Sequence, residues 1–167
     1  MTNATRLLLL VAMLSLAACG FHLRGSSLNG VEFAFKSLYL KAPAETPFVG
    51  DLRRTLTANK ISLTTTSDQA ELVLEVVSEQ TIKQILSLSG SGRVQEYQLT
   101  YRVSLRAYDS KQTDWLPAEE IMLSRILTYD EAQVLAKEQE EALLYKDMRA
   151  DAVAQALRRL SRAKPQQ

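Results

Sequence analysis

The strongest constraint on the fold is a stretch of strict two-residue alternation in the middle of the chain. Between residues 97 and 107, every odd position is apolar or aromatic and every even position is polar. The apolar members are Tyr97, Leu99, Tyr101, Val103, Leu105 and Ala107, and the polar members are Gln98, Thr100, Arg102, Ser104 and Arg106. Successive side chains of a strand point to opposite faces. The segment is therefore predicted to be a strand with one buried face and one polar face.

Three further segments have the composition of strands. Residues 33–42, 71–86 and 121–129 are rich in apolar, aromatic and β-branched side chains, which favour strands. Short polar turns at residues 89–92 and 109–111 favour antiparallel hairpins between the later strands. The sequence thus predicts four strands.

Two helices complete the predicted fold. Thr46 is placed to cap the first helix, Pro47 suits its first position, and an apolar period of four residues continues to Asn59. The second runs from Asp130 to about Arg162, a stretch without Gly or Pro. The order strand-helix-strand-strand-strand-helix predicts an α+β fold, with a mixed four-stranded sheet and two helices packed on one face.

The N-terminal segment is predicted to be a secretory signal rather than part of the fold. Arg6 is its only charge, an apolar run occupies residues 7–14, and small residues precede Cys19. This order is typical of a cleaved signal, and the run is shorter than the roughly 20 residues of a membrane-spanning helix. The segment Leu16-Ala17-Ala18-Cys19 resembles the lipobox of bacterial lipoproteins. The alternative is an ordinary signal peptide with an incidental cysteine.

The lipobox resemblance implies a membrane anchor and its location. In lipoproteins the cysteine becomes the first residue of the mature chain and carries an S-diacylglycerol and an N-acyl group, here on Cys19. Two or more acyl chains anchor a protein stably, whereas one does not. Gly20 stands where many Gram-negative lipoproteins retained in the inner membrane have Asp. By resemblance to that sorting pattern, the protein is expected in the inner leaflet of the outer membrane.

These boundaries divide the chain into four parts. Residues 1–18 are the predicted signal peptide, residues 19–31 a lipidated tether rich in Gly and Ser, residues 32–163 a single α+β domain, and residues 164–167 a disordered tail.

Composition excludes several classes of function. A formal net charge of +1 argues against a nucleic-acid-binding protein. One His and one Cys cannot form a zinc cage or a disulfide within the chain. His22 lies three residues from the expected anchor, where no partner can position it as a base. The sequence therefore predicts a protein without catalytic activity, metal or other cofactor.

Three features are candidates for binding. Apolar residues Ile85, Leu86 and Leu88 precede Arg93 at a hairpin tip, which suits an amphiphile with acyl chains and an anionic head, or a pocket in a partner protein. The alternative is that these residues pack beneath the long helix.

Two other candidates lie on the third strand and on the long helix. Arg102 and Arg106 are expected on a sheet face without helices, available for phosphate or carboxylate groups or paired with acids on neighbouring strands. Leu144 and Met148 lie opposite the predicted core stripe of the helix (Leu135, Ala142, Ala150, Val153, Leu157 and Leu160), which suggests partner contact.

Several motifs together resemble the LptE family of lipopolysaccharide-assembly lipoproteins. The segment Cys19-Gly20-Phe21-His22-Leu23-Arg24 is similar to that family's Cys-Gly-aromatic-His-Leu-Arg opening. Glu96-Tyr97-Gln98 after the hairpin, Ala136-Lys137-Glu138 early in the last helix, and Arg125 also have counterparts there. The order of predicted elements is similar along the whole mature chain.

The resemblance implies a function without catalysis. Proteins of this family plug the lumen of the β-barrel protein LptD, assist its assembly, and bind lipopolysaccharide on its way to the outer leaflet. It implies a lipopolysaccharide-binding role for Lys137, and more loosely for Arg93, because the family's loop base aligns with Gly90. A lipid carrier or chaperone that works without a permanent partner is the alternative.

Overall fold

The computed structural model describes residues 33–166, which belong to one compact unit. Five strands are present: β1 (Ser37–Lys41), β2 (Ser62–Leu63), β3 (Leu72–Leu88), β4 (Val94–Tyr108) and β5 (Asp114–Thr128). Two helices are present: α1 (Pro47–Ala58), between β1 and β2, and α2 (Val134–Leu160), at the end of the chain. The signal, Cys19, Gly20 and His22 lie outside the described residues. No helix in the described part of the chain is both long and apolar enough to cross a bilayer.

The sheet has five strands in the order β2-β1-β3-β4-β5, so the predicted α+β class with a mixed sheet is confirmed and the number of strands is wrong. β1 pairs in parallel with both β2 and β3, whereas β3, β4 and β5 form an antiparallel meander. The strand that the sequence did not predict is β2, which has only two residues. Such a short strand has no periodicity for a sequence to reveal.

Strand β5 begins seven residues earlier than predicted, at Asp114 rather than Ile121. The early part contains Pro117, which normally argues against a strand. Because β5 is an edge strand, the proline need not donate to a second neighbour, and edge strands tolerate proline for this reason.

Helix α1 begins where the sequence places it. The side chain of Thr46 accepts a hydrogen bond from the backbone N–H of Val49, and Pro47 takes the first helical position. The Thr46 hydroxyl also donates to the Glu79 carboxylate on β3 at 2.5 Å. A single side chain therefore caps the helix and ties its start to the sheet.

Replacing Thr46 by alanine is expected to lower the free energy of unfolding by about 1–2 kcal/mol, the usual effect of removing an N-cap side chain. Urea unfolding followed by circular dichroism measures this loss. Thr57→Ala is the control, because the Thr57 hydroxyl is exposed and bonds only a backbone carbonyl of its own helix. A control loss as large as that of Thr46→Ala would contradict a special role for the cap.

The core lies between the sheet and both helices. The alternating apolar residues of β4 from Leu99 to Ala107 are all buried there, as the pattern predicts. α1 contributes four buried residues and α2 contributes six: Phe48, Val49, Leu52, Leu56, Met148, Ala152, Val153, Ala156, Leu157 and Leu160. They join the strand residues in one continuous cluster.

The predicted orientation of α2 is wrong in its first half. Met148 is completely buried and Leu144 packs partly against the core, so neither is available for the partner contact expected of it. Leu135 is 76% exposed instead. Apolar residues occupy several faces of this helix. The face that packs on the sheet is the one on which apolar residues recur at intervals of three and four from Leu144 to Leu160.

The first half of strand β5 is covered at its outer edge. The backbone N–H of Gln166 donates to the carbonyl of Asp114 at 2.9 Å. The Arg159 guanidinium bonds the Glu119 carboxylate at 2.9 Å and the carbonyl of Glu120 at 3.3 Å. The disorder expected of residues 164–167 therefore does not extend to Gln166, whose backbone is bonded to the sheet.

Candidate functional site

The tip of the β3–β4 hairpin and the start of α2 lie at the same end of the sheet. The backbone N–H of Tyr129 donates to the carbonyl of Gln95 at 2.8 Å, and the rings of Tyr97 and Tyr129 meet edge to face with centroids 5.2 Å apart. We call residues 85–95 together with 129–141 the hairpin end.

The turn at the hairpin end fixes the backbone of Arg93. The N–H of Ser89 donates to the carbonyl of Arg93 at 2.7 Å, and the Ser89 hydroxyl accepts from the N–H of Arg93 at 3.1 Å. Gly92 has a φ of +80°, which glycine adopts without strain. The Arg93 side chain is exposed and has no acid within 4.0 Å in residues 33–166. It is therefore available to an external anion.

Three large apolar side chains stand beside this turn in contact with solvent. Ile85, Leu86 and Leu88 are 57%, 46% and 54% exposed. A register shift between Ile85 and Ser87 interrupts the strand alternation at this point. The alternative that these three residues pack beneath the long helix is therefore wrong.

Lys137 is less exposed than a surface helix lysine usually is. Its side chain is 18% exposed, and its ammonium contacts the Glu140 carboxylate at 2.8 Å. One turn later, Glu141 binds Lys83 of β3 at 2.6 Å, and Lys83 lies 4.3 Å from the centre of the Tyr97 ring. Lys137 thus lies on the same face of α2 as the residues that pack on the sheet, at the end of that face where the side chains are polar.

The hairpin end combines apolar surface with two basic side chains: Arg93, which is exposed, and Lys137, which is bound to Glu140. Exposed aliphatic groups favour acyl chains or an apolar pocket, and Arg or Lys favour phosphate groups. Arg93 in the hairpin turn and Lys137 near the start of α2 lie at the same end of the sheet.

The two arginines of β4 point away from the helices, and their surroundings differ. Arg106 donates to Asp114 at 2.9 Å and lies 5.0 Å from the centre of the Tyr108 ring. The hydrogen bond with Asp114 raises the pKa of Arg106 above the ordinary value of an arginine. Arg102 lies between Gln80 and Met122 of the neighbouring strands, and its buried Nε has no hydrogen-bond partner. Of the two arginines, Arg106 is already bound to an acidic side chain of the neighbouring strand.

The sequence interpretation missed a polar cluster beneath the start of α1. The Tyr101 hydroxyl donates to the Glu79 carboxylate at 2.7 Å, and the same carboxylate accepts from Thr46. Burial, and then the hydrogen bond to Glu79, raises the pKa of Tyr101 well above its ordinary value. Each bond joins groups far apart in the chain, so no local pattern could reveal this structural cluster.

Within residues 33–166, no group of three or more His, Cys, Asp and Glu side chains is arranged to hold a metal ion.

The fold defines a small α+β domain with a mixed sheet, and sequence comparison assigns its family. The sequence model of the LptE family, described as lipopolysaccharide-assembly, matches residues 32–160. The chain belongs to the LptE family, and the resemblance seen in the sequence is confirmed. No curated protein matches the chain.

Solved structures of bacterial lipoproteins are similar to this one. An uncharacterized lipoprotein B from Nitrosomonas europaea, solved by NMR, is 40% identical with a TM-score of 0.72, over 85% of this chain and 90% of that chain. A minor lipoprotein from Acinetobacter baumannii is 26% identical with a TM-score of 0.66, over 81% and 99%. The rare lipoprotein B from Shewanella oneidensis is also 26% identical with a TM-score of 0.66, over 73% and 91%.

Proposed function

We propose that this protein is an outer-membrane lipoprotein that plugs an LptD-type β-barrel, assists its assembly, and binds lipopolysaccharide during delivery to the outer leaflet. The family match over residues 32–160 is the observation that carries this proposal. The lipobox ending at Cys19 and the glycine that follows it support a lipid anchor in the outer membrane, facing the periplasm and the barrel lumen.

The hairpin end supports the lipopolysaccharide-binding part of the proposal. Lipid A carries phosphate groups beside acyl chains, and this end offers Arg93 and Lys137 beside Ile85, Leu86 and Leu88. A charge-assisted hydrogen bond to a phosphate contributes roughly 1.5–3 kcal/mol. Two such contacts, together with the exposed apolar side chains at the same end of the sheet, are suited to hold one amphiphile.

The barrel partner is tested by affinity purification. The tagged protein is isolated from detergent-solubilised membranes of its host, and the eluate is run on a gel both heated and unheated. We expect a stoichiometric large partner whose mobility changes on heating, as a folded barrel's does. A tagged outer-membrane lipoprotein of another family is the control.

The alternative, an independent lipid carrier, requires a cavity for acyl chains between sheet and helices. That space holds the continuous core cluster instead, including Tyr101, Leu105 and Met148. The filled core disfavours a carrier. A protein that elutes alone from membranes containing the barrel would contradict the plug proposal.

A further inference from the structure

A concave site lies at the end of the sheet opposite the hairpin end. A cavity of about 580 Å³ opens between the start of β5, the last turns of α2, and the residues that follow α2. Trp115 and Pro117 form one wall, and Arg158 and Arg162 form another. β4 separates the two ends: its pairs with β5 run from Glu96 to Tyr108, which spans roughly 41 Å at about 3.4 Å per residue.

The cavity has a marked excess of positive charge. Four basic side chains line it, and the one acidic side chain among the lining residues, Glu119, is bound to Arg159. The other three bases, Arg158, Arg162 and Lys164, have no acid within 4.0 Å in residues 33–166.

The C-terminal dipole of α2 does not account for the excess of positive charge at the cavity. Basic residues in the last turn of a helix commonly balance its C-terminal dipole, which is equivalent to roughly half a negative charge. Arg158 and Arg159 lie in that turn, but Arg162 and Lys164 come after the helix and still line the cavity. Three unpaired cations exceed what the dipole needs.

The same cavity also has apolar walls. Trp115, Leu116, Pro117 and Pro165 line it beside the bases. The ring of Trp115 packs edge to face against Phe35, with centroids 6.4 Å apart. Such a site suits a ligand in which a phosphate adjoins an apolar group.

The cavity lies where the chain enters the domain. Phe33 and Phe35 pack on one another beside Trp115, and Cys19 precedes Phe33 by 14 residues in the sequence. A chain of that length reaches at most about 50 Å. A lipid on Cys19 would hold this side of the domain within that distance of a membrane surface. This step rests on the anchor in the proposed function, whereas the charge and shape of the cavity do not.

We propose that this cavity binds the phosphate of an anionic phospholipid headgroup. Arg158, Arg162 and Lys164 contact the phosphate, and Trp115 and the prolines contact the glycerol and the first methylenes. The site would fix the orientation of the domain on the membrane, separately from any ligand at the hairpin end.

Trp115 is the only tryptophan of the chain, so its emission reports on the cavity directly. The full-length protein, purified in a nonionic detergent, is titrated with dihexanoyl phosphatidylglycerol, dihexanoyl phosphatidylcholine and inorganic phosphate. We expect a saturable change in emission with phosphatidylglycerol, at roughly tenfold lower concentration than with either other ligand. Equal affinity for phosphate and phosphatidylglycerol would confirm a phosphate site and overturn its assignment to a lipid.

The double variant Arg158→Gln/Arg162→Gln should weaken the phosphatidylglycerol titration roughly tenfold or more. The matched control is Arg53→Gln/Arg54→Gln, two adjacent exposed arginines of α1. Thermal unfolding verifies that both variants fold. An unchanged phosphatidylglycerol titration in a folded Arg158→Gln/Arg162→Gln variant would overturn the proposal. The absence of a saturable change in Trp115 emission with every ligand, in the unsubstituted protein, would overturn it too. Lipopolysaccharide binding, measured on the same variants, should be unchanged, which separates this site from the proposed function.

Discussion

Replacing Met148 by alanine is expected to lower the free energy of unfolding by about 2–5 kcal/mol, the range for large buried apolar side chains cut back to alanine. Met148 is completely buried in the cluster between α2 and the sheet. Its truncation removes contacts on all sides, and the rigid strands behind it limit how far the space can close. Urea unfolding, followed by circular dichroism with a common slope for all variants, measures the loss.

Leu135→Ala is the matched control on the same helix. Leu135 is 76% exposed, so its truncation should change the free energy of unfolding by no more than about 0.5 kcal/mol. The pair of variants distinguishes the two orientations of α2, because the sequence pattern predicts the opposite ranking. A larger loss at Leu135 than at Met148 would show that the helix is turned the other way.

Reversing two charges at the hairpin end is expected to weaken lipopolysaccharide binding roughly tenfold or more. The variant is Arg93→Asp/Lys137→Asp, which replaces two cations by two anions at the proposed phosphate contacts. Each lost charge-assisted bond contributes about 1.5–3 kcal/mol, and every 1.4 kcal/mol is a factor of ten. Binding of labelled lipopolysaccharide to the purified protein, at fixed ionic strength, gives the ratio.

The control for this variant makes the same change of charge elsewhere. Lys111 lies in the β4–β5 turn and Lys146 on α2, and both are exposed. Lys111→Asp/Lys146→Asp therefore also reverses one hairpin base and one helix base, and its affinity should fall much less. Equal losses of lipopolysaccharide affinity in the two double variants would show that net charge alone causes the effect. That result would refute a specific role for Arg93 and Lys137.

The sequence predicts best those elements whose pattern is local. The alternation from Tyr97 to Ala107 predicts both the strand and its buried face, because a two-residue period has a single structural meaning. The cap at Thr46 likewise predicts the start of α1. In both cases the determining residues are neighbours in the chain.

The errors arise where tertiary contacts choose among equivalent local patterns. β2 exists only because two residues meet β1, and β5 includes Pro117 because it is an edge strand and because Pro117 falls at a register shift in its pairing with β4. Along α2, apolar residues lie on several faces, and packing on the sheet decides that Met148 is buried and Leu135 exposed.

The cavity beside Trp115 could not be predicted for a related reason. Its lining comes from two distant parts of the chain, residues 115–119 and 155–166, and the end of the second part, from residue 164 onward, is predicted from its composition to be a disordered tail. At the hairpin end, by contrast, Ile85, Leu86, Leu88 and Arg93 are close in sequence, which is why the sequence identified them as a group.

The arginines along β5 have a consequence for the behaviour of the unbound protein. The outer edge of a strand is a template on which a second copy could add a strand and start aggregation, and in β5 only the first half of this edge is covered by Gln166 and Arg159. Arg159 and Arg125 bond the edge-strand carbonyls of Glu120 and Ser124, and each also binds an acidic side chain. A second copy would have to break these bonds and displace the two ion pairs. The same ion pairs that hold α2 against the sheet thus oppose the addition of a second copy along this edge.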